Sequence, residues 1–266
     1  MRTRFVVRAV PALAMAVVCA TYAGGIVTAQ PPAADGRPYT GPRTADGKPN
    51  LNGIWQSMSP AHSDLEAHSP EEGIPAGMGV VDGGTIPYKP DALKKRNENK
   101  ANRAALDPVN KCFLPGVPRI TYIPFPFQVA QTPKYIAMTY EFQHATRIIY
   151  TDGSKHAPPN DYWMGDSRGH WEKDTLVVDV THFNDRTWFD MAGNHHTDAL
   201  HVVERYTPIE AGHVMTYEAT IEDPNVFTRP WKITLPLYRR AEKNLQILDY
   251  DCVDFFWKRM KSSSTR

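Results

Sequence analysis

The chain has 266 residues, with 30 Lys+Arg against 29 Asp+Glu, 10 His, 3 Cys, 23 Pro and 41% hydrophobic residues. This composition excludes a disordered chain and a strongly basic nucleic-acid binder, and the near-neutral balance gives no field for gripping polyanions or anionic lipid. The length suits one domain with an extended arm.

Arg2, Arg4 and Arg8 precede an uncharged run over residues 12–23, and Val27-Thr28-Ala29 follows it. A basic start, an apolar stretch too short to span a bilayer and small residues at its end form a secretory signal over residues 1–29, with cleavage expected before Gln30. Cleavage leaves 27 basic against 29 acidic side chains and no stable membrane anchor, so the expected location is periplasmic or secreted. Cys19 leaves with the signal. Cys112 and Cys252 then remain in a compartment where thiols oxidise, and one bridge between them is expected.

Residues 30–118 are rich in Pro, Gly, Asp and Asn and read as an extended N-terminal arm. Leu51, Ile54 and Trp55 form a short apolar element within it, suited to docking on the main body. A helix is expected over 90–105, because Pro90 suits a first turn. Its Lys94, Lys95, Arg96, Lys100 and Arg103, interrupted by Asp91 and Glu98, read as a solvated face.

The pattern changes in residues 119–266, where β-branched and aromatic residues recur in short runs: 120–123, 127–131, 135–140, 147–150, 175–180, 200–206, 214–221, 231–238 and 245–248. Turn chemistry separates them, as in Thr132-Pro133, Asp152-Gly153, Lys173-Asp174 and Asp223-Pro224-Asn225. The connections are mostly too short for crossover helices, so parallel βαβ units are not expected. The prediction is a mainly β domain, an antiparallel meander closing into a barrel or a two-layer sandwich. Along 214–221 polar and apolar residues alternate, and a polar row pointing inward would line a polar cavity.

Gly165-Asp166-Ser167-Arg168-Gly169 matches the G-x-S-x-G nucleophile elbow, but a strand and no helix follows it. A tight bend or bulge at the glycines is the expectation instead. Histidine is clustered: His144, His156, His170, His182, His195, His196 and His201 lie close together. Imidazole beside a carboxylate can move protons near neutral pH, and His196 with Asp198 or Glu204 is the candidate catalytic set. Glu141, Arg147 and Arg205, with Trp171 as a flat surface, are the candidates for binding a substrate. A metal reading of His196 and His201 meets an obstacle, since five positions along a strand point to opposite faces. No H-E-x-x-H or H-x-H pattern is present, and no metal or other cofactor is expected.

The run Gly165-x-Ser167-x-Gly169-x-Trp171-Glu172-x-Asp174-Thr175-Leu176-Val177-Val178-Asp179, with Glu204-Arg205 and Asp223-Pro224 further on, resembles the signature of an uncharacterised family of secreted bacterial β-rich proteins. Asp46-Gly47-Lys48-Pro49-x-Leu51-x-Gly53-x-Trp55 is similar to the same family. The resemblance implies secretion and a lipocalin-like β architecture, and carries no catalytic assignment.

These readings combine into an exported β-barrel enzyme that acts on a small polar or aromatic molecule by metal-independent His/carboxylate acid–base chemistry, as a lyase, isomerase or hydrolase. The alternatives are a non-catalytic ligand-binding barrel and a His-ligated metalloenzyme. A small-molecule ligand is the expected partner, and nucleic acid is not.

Overall fold

A computed structural model describes residues 39–71 and 74–252. The expected signal over 1–29 lies outside these residues. Nine strands form one closed barrel in chain order: β1 (Gly53–Ser57), β2 (Phe127–Gln131), β3 (Tyr135–Tyr140), β4 (Thr146–Tyr150), β5 (Asp166–Glu172), β6 (Thr175–Thr181), β7 (His201–Ile209), β8 (Val214–Glu222) and β9 (Trp231–Arg239). The chain is therefore mainly β and a barrel, not a sandwich.

A ring in which every neighbour is antiparallel needs an even number of strands, so nine strands require a parallel pair. That pair is β4 and β5, with Ile149 opposite Ser167 and Tyr150 opposite Arg168; every other pairing, including β1 with β9, is antiparallel. Parallel neighbours need a long return connection. Residues 151–165 supply it and carry the chain across the outer face of the sheet. Gly169 sits opposite β4, where an added Cβ would lie 2.8 Å from Ile149 Cγ2. The Ile149 side chain thus occupies the space a larger residue would need at Gly169.

Alternation sorts side chains between the interior and the wall. On β7 the residues Val202, Glu204, Tyr206 and Pro208 are buried, while His201, Val203, Arg205 and Thr207 are less covered. On β8 Met215, Tyr217, Ala219 and Ile221 are buried, and the core is completed by Leu176, Val178 and Val180 of β6 and Ile233, Leu235 and Leu237 of β9.

The arm is part of the barrel. Its β1 closes the ring between β2 and β9, with Trp55 fully buried. Further along, Val81 bridges to Ile233, so the arm also pairs with the edge of β9, and Tyr88 bridges to Phe227 in the loop before β9. The expected helix is present as α1 (Pro90–Ala101) and α2 (Arg103–Leu106).

Two expected strands are not strands. Residues 120–122 fall in α3 (Arg119–Tyr122), whose four residues are all buried, and Ile123 caps its end. Arg119 pins this turn through two hydrogen bonds of 2.8 Å each to the carboxylate of Asp107, and the Tyr122 hydroxyl donates to the Phe189 carbonyl. These anchors outweigh local β-propensity. Residues 245–248 have no regular structure, and Leu248 is exposed. In the G-x-S-x-G segment Gly165, with φ +67°, turns the chain as expected, but Asp166–Gly169 are the start of β5.

Cys112 and Cys252 are bonded, with their Cα atoms 5.6 Å apart across a sequence separation of 140. The bridge ties the end of the arm to the segment after β9 and is compatible with an oxidising compartment. No described helix is long and apolar enough to cross a membrane.

Candidate functional site

Inside the barrel, Arg147 of β4 reaches Glu204 of β7. Its Nη1 donates to Oε1 at 3.1 Å, Nη2 donates to Oε2, and Nε donates to the Ser167 hydroxyl at 2.9 Å. The Tyr206 and Tyr217 hydroxyls both donate to Glu204 Oε1, at 2.9 and 2.8 Å. Glu204 is fully buried and Arg147 is 3% exposed. Burial is the first influence on Arg147 and acts against its charge, but the Glu204 carboxylate prevails and holds the guanidinium well above its ordinary pKa. Burial pushes the Tyr140 hydroxyl up to about 12, and burial with the Glu204 charge also holds Tyr206 and Tyr217 well above the ordinary range. A buried pair is tolerable only when its remaining lone pairs and protons are satisfied, and here they satisfy one another. The interior polar group is thus packed and internally bonded.

The other sequence candidates lie elsewhere. His196 is buried, with Nε2 2.6 Å from the Thr187 hydroxyl and Nδ1 2.8 Å from the Thr197 carbonyl, and burial lowers its pKa. Asp198 is on an exposed turn. Among the described residues, no hydrogen bond joins His196 to Asp198 or to Glu204. Glu141 accepts from the Leu248 backbone N–H and so fastens the segment after β9. Trp171 is packed against the core from the end of β5, and Arg205 points outward to Glu172 at 2.9 Å. Of the predicted set, the structure brings together Arg147 and Glu204 only.

A second group lies on the outer wall, where β5 begins, β6 ends and β7 begins. The register places Asp166 opposite Thr181 and Arg168 opposite Asp179, all on the outward-facing positions. The crossover 151–165 passes over them and lowers His156 into the group. Its Nδ1 is 2.7 Å from Asp166 Oδ2 and its Nε2 is 2.9 Å from Asp179 Oδ1. Asp179 Oδ2 meets His201 Nε2 at 3.1 Å. Arg168 donates to both oxygens of Asp166, at 3.0 and 2.9 Å, and its guanidinium lies over the Tyr150 ring. Although burial opposes it, these donors together hold Asp166 below its ordinary pKa, Arg168 contributing most and Ala157 N–H and His156 adding to it.

His182 completes the group from the residue after β6. Its φ is +61°, a left-handed conformation that non-glycine residues adopt at a cost. Its ring stands edge-on to His156, with centroids 5.8 Å apart. His182 Nδ1 is buried and has no hydrogen-bond partner. Ligand-capable atoms of His156, Asp166 and His182 all lie within 4.8 Å of one another, and this is the one such group of three among the described residues.

The His156 side chain remains 27% exposed, so the group is reachable from solvent, unlike the barrel interior. Sequence reasoning had singled out His156, His182 and His201 as members of a cluster, but not their carboxylates. Asp166 and Asp179 stand inside the run from Gly165 to Asp179, and the hairpin register of β5 and β6 sets them diagonally on one face, opposite Thr181 and Arg168. No protein-family model matches the chain, and no curated protein matches it in sequence.

Proposed function

We propose that the protein is exported to the periplasm or beyond and acts there on a small polar molecule by acid–base chemistry, of the hydrolase or lyase/isomerase kind. The working group is the outer-wall set of His156, Asp166, Asp179, His182 and His201, and not the filled interior. One observation carries this reading: a solvent-reachable imidazole held between two carboxylates, beside a second imidazole whose Nδ1 is buried without a partner. Such imidazole–carboxylate pairs orient a ring and fix which nitrogen carries the proton. The positive charge of Arg168 and the ring of Tyr150 flank the group and suit an anionic or carbonyl-bearing substrate.

The test is a substrate panel of nitrophenyl esters, nitrophenyl phosphates and lactones, assayed with the purified secreted form. For any compound turned over, His156→Gln and His182→Asn are expected to lower kcat/KM at least 100-fold, while His170→Ala, at an exposed position on β5, leaves it within twofold. Turnover that survives both substitutions, or no turnover across the panel, overturns the reading.

A further inference from the structure

We infer that the outer-wall group is a binding site for one divalent first-row transition-metal ion, with His156, Asp166 and His182 as its protein ligands and Asp179 as the carboxylate that orients His156. The inference rests on the reading above and names the cofactor class of that site: with an ion bound, His156 and His182 would hold it, and the ion would supply the acid–base capacity to a water at an open position.

Four observations converge. The donor set is two imidazoles and one carboxylate, the combination that favours Zn, Co, Ni, Cu or Fe over Mg or Ca. Three protein ligands leave coordination positions open for water or a substrate atom, as catalytic sites do. The ligand-capable atoms stand between 2.7 and 4.8 Å apart. Around a tetrahedral ion with bonds of ~2.0–2.1 Å they would stand ~3.4 Å apart, within reach of small side-chain rotations.

The hydrogen bonds give the second argument. His156 presents both ring nitrogens to carboxylates. A neutral ring carries one N–H, so it can serve both carboxylates only with a proton on each nitrogen or with a cation at one of them. A metal on the Nδ1 side leaves Nε2–H donating to Asp179, the carboxylate–histidine–metal arrangement of second-shell support. Asp179 in turn holds His201, which fixes the carboxylate's own orientation.

His182 provides the third. A buried imidazole nitrogen without a partner is uncommon, and here it belongs to a residue held in a left-handed conformation whose ring stands edge-on to His156. The fourth is placement. The strands β5 and β6 hold Asp166 and Asp179 rigidly, while the crossover loop brings His156 from outside, so a rigid base and an adjustable cover meet at the ion.

The experiment uses protein purified without a polyhistidine tag or chelator. Elemental analysis reports the resident metal. Co(II) titration, followed by its visible absorption bands and by calorimetry, reports affinity and stoichiometry independently of any activity. One equivalent with d–d bands is expected, with affinity at least tenfold weaker in His182→Asn and in His156→Gln. Asn tolerates the left-handed conformation, so His182→Asn keeps the fold, which circular dichroism checks. No stoichiometric metal and no Co(II) bands overturn the inference, as does Co(II) binding unchanged in both variants. Absent metal with turnover still lost in the variants leaves the acid–base reading standing, whereas bound metal with turnover unchanged removes that reading and keeps the site.

Discussion

Arg147 and Glu204 face each other across the barrel interior from β4 and β7, with Nη1 donating to Oε1 at 3.1 Å and neither side chain open to solvent. The pair joins the strand before the crossover to a strand well after it, and two tyrosines complete the carboxylate's bonding. It therefore fixes the barrel's closure around the one parallel junction.

Removing one partner leaves a buried charge without compensation. Glu204→Gln is expected to lower unfolding stability by about 3–5 kcal/mol, while the double change Arg147→Met with Glu204→Leu costs much less. Urea unfolding measures both. Equal losses in the single and the double variant would show that packing, and not the uncompensated charge, sets the cost.

The Cys112–Cys252 bridge closes a loop over a sequence separation of 140. Loop-closure entropy alone then stabilises by about 4–5 kcal/mol. Cys112→Ser with Cys252→Ser is expected to lower the urea midpoint accordingly, and mass spectrometry of the unmodified protein should show no alkylatable thiol at either position.

Between pH 6.5 and 4 the buried histidines make stability fall with acid. His195 is pushed down to about 4, chiefly by burial and next by the neighbouring His196, so the unfolded chain takes up a proton there before the native state does. The stabilisation is present above pH 6.5 and is lost as pH drops toward 4, by up to about 2–3 kcal/mol for a partly covered ring. Asp190 acts in the opposite sense: burial and then Asp64 push its carboxyl up to about 7, so its contribution is present below pH 4 and lost as pH rises toward 7. His195→Phe, which keeps a ring against Tyr88, should flatten the acid loss in a pH series of denaturant melts. An unchanged pH slope would contradict the assignment.

Much of the fold is legible in the sequence because alternation is local. Residues 214–221 and 231–238 announce β8 and β9 within about one residue at their ends. What is not legible depends on distant partners. Leu51, Ile54 and Trp55 announce an element that docks on the body, but that Gly53–Ser57 docks as a barrel strand depends on β2 and β9 flanking it. The glycines of the G-x-S-x-G segment suggest a bend, yet Gly169 lies within β5, against Ile149 of the parallel neighbour. The same holds for the site. The histidine cluster is visible, but His156 finds Asp166 and Asp179 only after the crossover folds back, whereas His196 is satisfied by Thr187 and the Thr197 carbonyl.

Asp179 carries a separate expectation. Its carboxylate accepts from two imidazoles and contacts no other part of the proposed ligand set. Asp179→Asn should weaken metal binding by about 10–100-fold through loss of second-shell support, with thermal stability nearly unchanged because the side chain is 43% exposed. Calorimetric titration of the folded variant decides; undiminished affinity would remove Asp179 from the site.

We place the chemistry proposed for this barrel on its outer wall, under the β4–β5 crossover. Anomalous X-ray scattering from crystals grown with Zn(II), measured at the zinc absorption edge, tests it most directly. The account predicts one strong peak within bonding distance, ~2.0–2.2 Å, of a ring nitrogen of His156, a ring nitrogen of His182 and an oxygen of Asp166. A map with no peak there, or with the strongest peak inside the barrel beside Glu204 or at His196, would contradict it.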